Sequence, residues 1–86
     1  EPGYYKINEY GIRIENLILV KEDSINNLYF ENISWCPIDK DLINKKLLDQ
    51  KEIEWINKYH SKVYSYLHDS FSSKELEWLN EVTKPI

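Results

Sequence analysis

Three charged residues near the amino terminus are of types that do chemistry together: Glu1 in "EPGYY", and Arg13 and Glu15 in "GIRIEN". Glu15 stands between Ile14 and the apolar run from Leu17 to Val20, where water is expected to be scarce. A charge buried there without compensation costs several kcal/mol. Arg13 offers one compensation, because residues two apart on a strand face the same side about 7 Å from each other. The result would be a structural or solvent-facing ion pair. A hard divalent cation such as Mn²⁺ offers the other, since such ions favour carboxylate oxygens. Glu1 would then supply a second carboxylate from a neighbouring strand. Composition and spacing leave both readings open.

The simplest hairpin argues against a shared ion. With "NEYG" as the turn and Ile7 opposite Ile12, Tyr4 faces Glu15. Glu1 then lies about 10 Å further along and on the other face. Convergence of the two carboxylates therefore requires a bulged or bent connection.

Other catalytic constellations are absent from the sequence. It has no Gly-rich phosphate loop, no Cys pair at zinc spacing, no nucleophile elbow and no His-Glu-x-x-His. His60 and His68 lack a second ligand at helical spacing and read as packed or solvated histidines. Cys36, between Trp35 and Pro37, reads as a buried structural thiol.

The elements that must position these residues change character near "CPID". Before it, β-branched and aromatic residues dominate, and "EPGYYKI" reads as a turn and a short strand. "YGIRIENLILVKED" is expected to form one strand of about ten residues, its Leu17 to Val20 half covered on both faces. "SINN" is a turn by composition, and "LYFENISW" is a second strand ending at Pro37. Beyond it, "IDKDLINKKLL" has room for one helical turn.

Asp49 and Glu52 have the spacing of a capping box, flanked by Leu48 and Ile53 as a hydrophobic staple. Ile53, Ile56, His60, Val63 and Leu67 then draw one apolar stripe along a helix ending near Leu67. Ser72 with Glu75, and Phe71 with Leu76, repeat both signals. They start a last helix over about 73–82, with Leu76 and Leu79 inward and Pro85 as its stop.

Eighty-six residues make one domain at most, and 14% aromatic content supplies dense packing material despite 30% charged residues. The net charge of −4, with signs alternating along the chain, excludes a nucleic-acid surface. One cysteine cannot form an internal disulfide, which fits a reducing, cytoplasmic compartment. No apolar run approaches the roughly 20 residues of a membrane span, so no membrane partner is expected. The first residue is not Met, and the chain is expected to begin upstream of it.

In wording, "EPGYY" followed by "GIRIEN" resembles the end of the catalytic domain of pita-bread metallopeptidases, specifically the aminopeptidase P or Xaa-Pro aminopeptidase family. "PIDKDLI", "EIEWINKYHSKV" and "ELEWLNEVTKPI" resemble the C-terminal extension of its larger cytosolic members. The resemblance implies an α+β architecture, with the last antiparallel strands of the catalytic domain over 1–38 and a helical extension over 39–86. It also implies two divalent ions, usually manganese, held by two aspartates, one histidine and two glutamates. By motif, Glu1 would be a terminal ligand of one ion and Glu15 would bridge both, while Tyr5 and Arg13 would orient the ligands. The implied reaction removes an N-terminal residue followed by proline, through attack of a metal-bridging hydroxide on the peptide carbonyl.

The aspartates and the ligating histidine of that family lie upstream of the matched motifs and have no counterpart here. The chain is therefore expected to be an inactive C-terminal piece that needs the remainder of the catalytic domain. Two alternatives stand beside this reading. The extension would be a dimerisation or interaction module, because Trp55, Tyr64, Tyr66 and Trp78 cannot all face one small core. Otherwise the parent would be a catalytically dead relative keeping only the fold.

Overall fold

The computed structural model describes residues 2–86, which separate into two compact units, one running to Ser34 and the other spanning Trp35–Ile86. The class is α+β: antiparallel strand pairs in the first unit, helices in the second.

The first unit holds two hairpins. β1 (Tyr4–Lys6) pairs with β2 (Tyr10–Ile12), and β3 (Ile18–Glu22) pairs with β4 (Leu28–Asn32). In the first hairpin Tyr4 lies opposite Ile12, Tyr5 opposite Gly11, and Lys6 opposite Tyr10. The Glu9 N–H donates to the Lys6 carbonyl at 3.0 Å, and Asn8 takes a φ of 60°. Asn tolerates that left-handed conformation better than most residues, which places the turn at Ile7–Glu9 rather than at "NEYG". The register expected from the sequence is thus corrected by three residues. An odd shift moves every side chain of one strand to the other face.

The long strand expected over "YGIRIENLILVKED" is also corrected. It breaks between Ile12 and Ile18, where the Leu17 N–H turns to the Ser34 hydroxyl at 2.8 Å. The Ser34 hydroxyl in turn donates to Asn16 at 3.3 Å. Leu17, Ile18, Leu19 and Val20 are exposed rather than covered on both faces, because a two-stranded hairpin has no second layer among the described residues. The following turn forms as expected. Both the Ile25 and the Asn27 N–H donate to the Asp23 carboxylate at 2.9 Å, holding its pKa below the usual carboxylate value.

In the second unit, α1 (Gln50–Leu67) begins one residue after Asp49, with the reciprocal capping box in place. The Glu52 N–H donates to Asp49, and the Asp49 N–H donates back to Glu52, each at 2.8 Å. α2 (Ser73–Val82) begins after Ser72, whose N–H and hydroxyl donate to Glu75 at 2.8 and 2.6 Å. Short 3₁₀ turns at Lys40–Leu42 and Lys45–Leu47 take the place of the single turn expected there.

Tyr59, Val63 and Leu79 form the core, with Trp35, Ile38, Tyr64, Leu67, Phe71 and Leu76 packed against it. The predicted stripe contains Val63, Ile56 and His60 but omits Tyr59. That hydroxyl ties the incoming chain to α1, donating to the Cys36 carbonyl at 2.7 Å and accepting from the Cys36 N–H at 3.3 Å. With its backbone so held, Cys36 is exposed rather than buried as expected. Lys40 donates to the carbonyls of Glu81 at 2.8 Å and Lys84 at 3.2 Å, a cation set on the negative end of α2.

His60 is fully buried. Its Nε2 accepts from the Ile38 N–H at 3.0 Å, and its Nδ1 is buried without a partner among the described residues. Burial lowers its pKa from the usual 6.5, and the charge of Lys40 acts in the same direction. Only a ring unprotonated at Nε2 accepts the Ile38 bond. The folded state therefore resists a proton that the unfolded chain takes up near pH 6.5. Stability is full above that pH and declines below it. The Tm of the chain is expected to fall between pH 7.5 and 5.5, and His60→Gln to flatten the profile. An unchanged slope in the variant would assign the decline to other groups.

Candidate functional site

The corrected register decides which side chains share a face of the first hairpin. Directly opposed residues of an antiparallel pair point to the same side, and alternate residues along each strand join them. Tyr5 and Gly11 are opposed, so the residues following at steps of two, Arg13 and then Glu15, head to that side as far as the chain stays extended. The opposite face carries Tyr4 and Tyr10, whose rings lie 6.1 Å apart.

The contacts agree with this assignment. The Arg13 Nε–H donates to the Tyr5 hydroxyl at 2.5 Å. The Arg13 guanidinium carbon lies 5.6 Å from the centre of the Tyr5 ring, within cation–π range. Arg13 Nε stands 3.7 Å from Glu15 Oε1. Tyr5, Arg13 and Glu15 thus form one connected group, the ring supporting the guanidinium and the guanidinium facing the carboxylate.

Glu15 is 45% exposed and Arg13 41%, so the carboxylate is not the desolvated charge expected from its apolar neighbours. An ion pair this open to water contributes about 0–1 kcal/mol to folding. The arrangement does little for stability and leaves carboxylate oxygen free for a further ligand. Carboxylate oxygen is the donor that hard divalent cations take. Among the described residues, no group of three or more His, Cys, Asp or Glu side chains is arranged to hold a metal ion. Glu15 fits such an ion as one donor of a larger set.

Of the residues singled out from the sequence, Tyr5, Arg13 and Glu15 come together, and Glu1 lies outside the described residues. His60 and His68 sit in the helical unit. His68 is bound locally, with Nδ1 3.1 Å from the Ser65 carbonyl and Nε2 3.0 Å from the Asp69 carboxylate. Two residues of the hairpin escaped the sequence reading, Gly3 and Gly11. Their odd numbers group them with Tyr5, Arg13 and Glu15 only in the observed register, so no signal in the sequence marked them.

Comparison with known proteins places these features in context. Residues 26–86 match the family model described as the C-terminal region of peptidase M24. A probable Xaa-Pro aminopeptidase P of Coprinopsis cinerea is 41% identical over 95 aligned residues, covering all of this chain and 15% of its own length. Aminopeptidase P1 of Arabidopsis thaliana is 40% identical over 93, covering all of this chain and 14% of its own. The crystal structure of X-prolyl aminopeptidase from Caenorhabditis elegans, a cytosolic enzyme with a di-nuclear active site, superposes with a TM-score of 0.80 at 36% identity. That match covers 99% of this chain and 15% of the enzyme. The chain spans about one seventh of the length of these relatives.

Proposed function

This chain belongs to the family of peptidase M24 C-terminal regions, and from that premise we propose that it completes the catalytic domain of a metal-dependent Xaa-Pro aminopeptidase. The parent enzyme would remove the first residue from peptides with proline in second position. The observation that carries the reading is the Tyr5–Arg13–Glu15 group, a carboxylate oriented from behind and open in front.

In this proposal Glu15 and Glu1 would help hold two divalent ions, each supplying carboxylate oxygen. Bound there, two ions such as Mn²⁺ supply Lewis acidity to polarise the scissile carbonyl and to activate water. The chain's own residues hold the geometry. Arg13 fixes the Glu15 carboxylate and neutralises part of its charge, and the Tyr5 hydroxyl fixes Arg13. The remaining ligands would come from the rest of the catalytic domain, so this chain by itself would be inactive. The exposed apolar strands β3 and β4 suit burial against that remainder, since a lone two-stranded hairpin is at best marginally stable in water. A division into residues 1–38 of the catalytic domain and a 39–86 extension is part of the proposal, as is a cytoplasmic location. For the latter, the support is that the similar Caenorhabditis elegans enzyme is described as cytosolic.

The test is manganese titration of the full-length protein with an Xaa-Pro peptide as substrate. Release of the first residue, dependent on the metal, is expected. No hydrolysis by a folded, metal-saturated protein would favour the catalytically dead alternative.

A second role is favoured by the exposure of Trp55, Tyr66 and Trp78 in the helical unit. Trp78 walls a groove of about 500 Å³ that is also lined by Pro37, Ile38 and Val82. Exposed aromatics of this kind suit an interface, and a homodimer formed through the extension is the assembly we propose. Light scattering of the full-length protein is expected to give a dimer mass, halved by Trp78→Asp. An unchanged mass would remove Trp78 from the interface.

A further inference from the structure

The two glycines of the hairpin flank the same side chain. A Cβ placed on Gly11 would stand 2.8 Å from Tyr5 Cδ1 and 3.1 Å from Cε1. One placed on Gly3 would stand 3.0 Å from the Tyr5 hydroxyl, 3.0 Å from Arg13 Cγ and 2.8 Å from the Ile12 carbonyl oxygen. Neither glycine has a positive φ, so backbone conformation does not account for glycine at these positions. Space does. The Tyr5 ring occupies the volume a side chain at position 11 would fill, and the Arg13 stem and the Tyr5 hydroxyl close over position 3.

This has a consequence at Glu15. The ring's depth on the hairpin sets where its hydroxyl lies, and that hydroxyl accepts the Arg13 Nε–H at 2.5 Å. Arg13 then stands 3.7 Å from Glu15. A methyl group at position 11 would lift the ring and move the guanidinium with it, although position 11 touches neither Arg13 nor Glu15 in any contact above. We propose that Gly11 is a positioning residue for the Glu15 carboxylate, acting through the Tyr5 ring and Arg13, with Gly3 keeping the second side of the cradle clear. The inference rests on the reading of Glu15 as a metal ligand.

The experiment is a double-substitution cycle in the full-length protein, with Gly11→Ala, Tyr5→Ala and the pair, read by calorimetric Mn²⁺ titration and by kcat and KM. Gly11→Ala is expected to weaken Mn²⁺ binding by about 10- to 100-fold, as losses behind a ligand do, and to lower kcat more than KM. Tyr5→Phe, which keeps the ring and removes the hydroxyl that accepts from Arg13, should weaken Mn²⁺ binding in the same range without disturbing the fold. With Tyr5→Ala already present, adding Gly11→Ala should change Mn²⁺ affinity less than about twofold, because no ring remains to be displaced. Equal losses from Gly11→Ala in both backgrounds, or none in the native one, would overturn the proposal. Should Gly11→Ala alone fail to fold, restoration of folding by Tyr5→Ala supports the ring as the obstacle, and continued failure overturns it. Mn²⁺ binding that Glu15→Gln leaves unchanged would instead refute the underlying metal assignment. Retained Glu15 dependence with additive Gly11 and Tyr5 effects refutes this inference alone.

Discussion

Glu15→Gln in the full-length protein is expected to lower kcat/KM toward an Xaa-Pro peptide by a factor on the order of 10³ or more, while moving Tm by only a few degrees. The two parts of that expectation come from different observations. Glutamine has nearly the same shape as glutamate, and the Arg13–Glu15 pair it would break is 41% and 45% exposed, so the folding cost stays within about 1 kcal/mol. The proposed role of Glu15 as a metal ligand is another matter. The amide carries no charge, offers one oxygen in place of two, and turns hydrogen-bond donors toward Arg13 and any cation. Losing several kcal/mol of transition-state stabilisation is worth at least three powers of ten in rate. Kinetics with parallel thermal melts would separate the effects. Turnover near the native level would remove Glu15 from the metal site, and collapse of Tm would make it a structural residue instead.

Leu79→Ala should act in the opposite way, on folding. Leu79 is wholly inaccessible and packs with Tyr59 and Val63 where α1 and α2 meet. Truncating a buried leucine costs about 2–5 kcal/mol, from lost transfer energy and from the cavity left behind. A core cluster as small as Tyr59, Val63 and Leu79 with a partly buried rim has little stability in reserve. At about 4–8 °C per kcal/mol for a domain of this size, Tm is expected to drop by more than about 10 °C. Leu47→Ala is the matched control, because Leu47 is 80% exposed and its loss should change stability by less than about 0.5 kcal/mol. Similar melting of both variants would contradict this account of the core.

Much of the helical unit was legible in the sequence because its signals are local. A capping box joins residues three apart, and a staple joins residues five apart, so Asp49 with Glu52 and Ser72 with Glu75 announced where α1 and α2 begin. Tyr59 was missed although Ile56, Tyr59, His60 and Val63 follow helical spacing, because a tyrosine suits either a core or a surface. Its partner decides, and the Cys36 backbone lies 23 residues away. A separation of 22 residues likewise hid the use of His60 Nε2 by Ile38.

At the amino-terminal hairpin, the candidate residues were readable as types and their geometry was not. Glu15, Arg13 and Tyr5 could be named from their motifs, yet the pairing that brings them together depends on a left-handed Asn8, a choice of turn that sequence leaves degenerate. A shift of three residues in that turn reverses faces and so decides whether a carboxylate can join its neighbours.

By itself, then, the sequence determined the α+β class, the helix starts and the identity of the charged group, each set by interactions among residues close along the chain. The tertiary structure alone decided the register, the cradle of Gly3 and Gly11 around Tyr5, and the meeting of Tyr5 with Arg13. Those depend on which strand positions meet across a turn, a contact energy that no stretch of residues read alone contains.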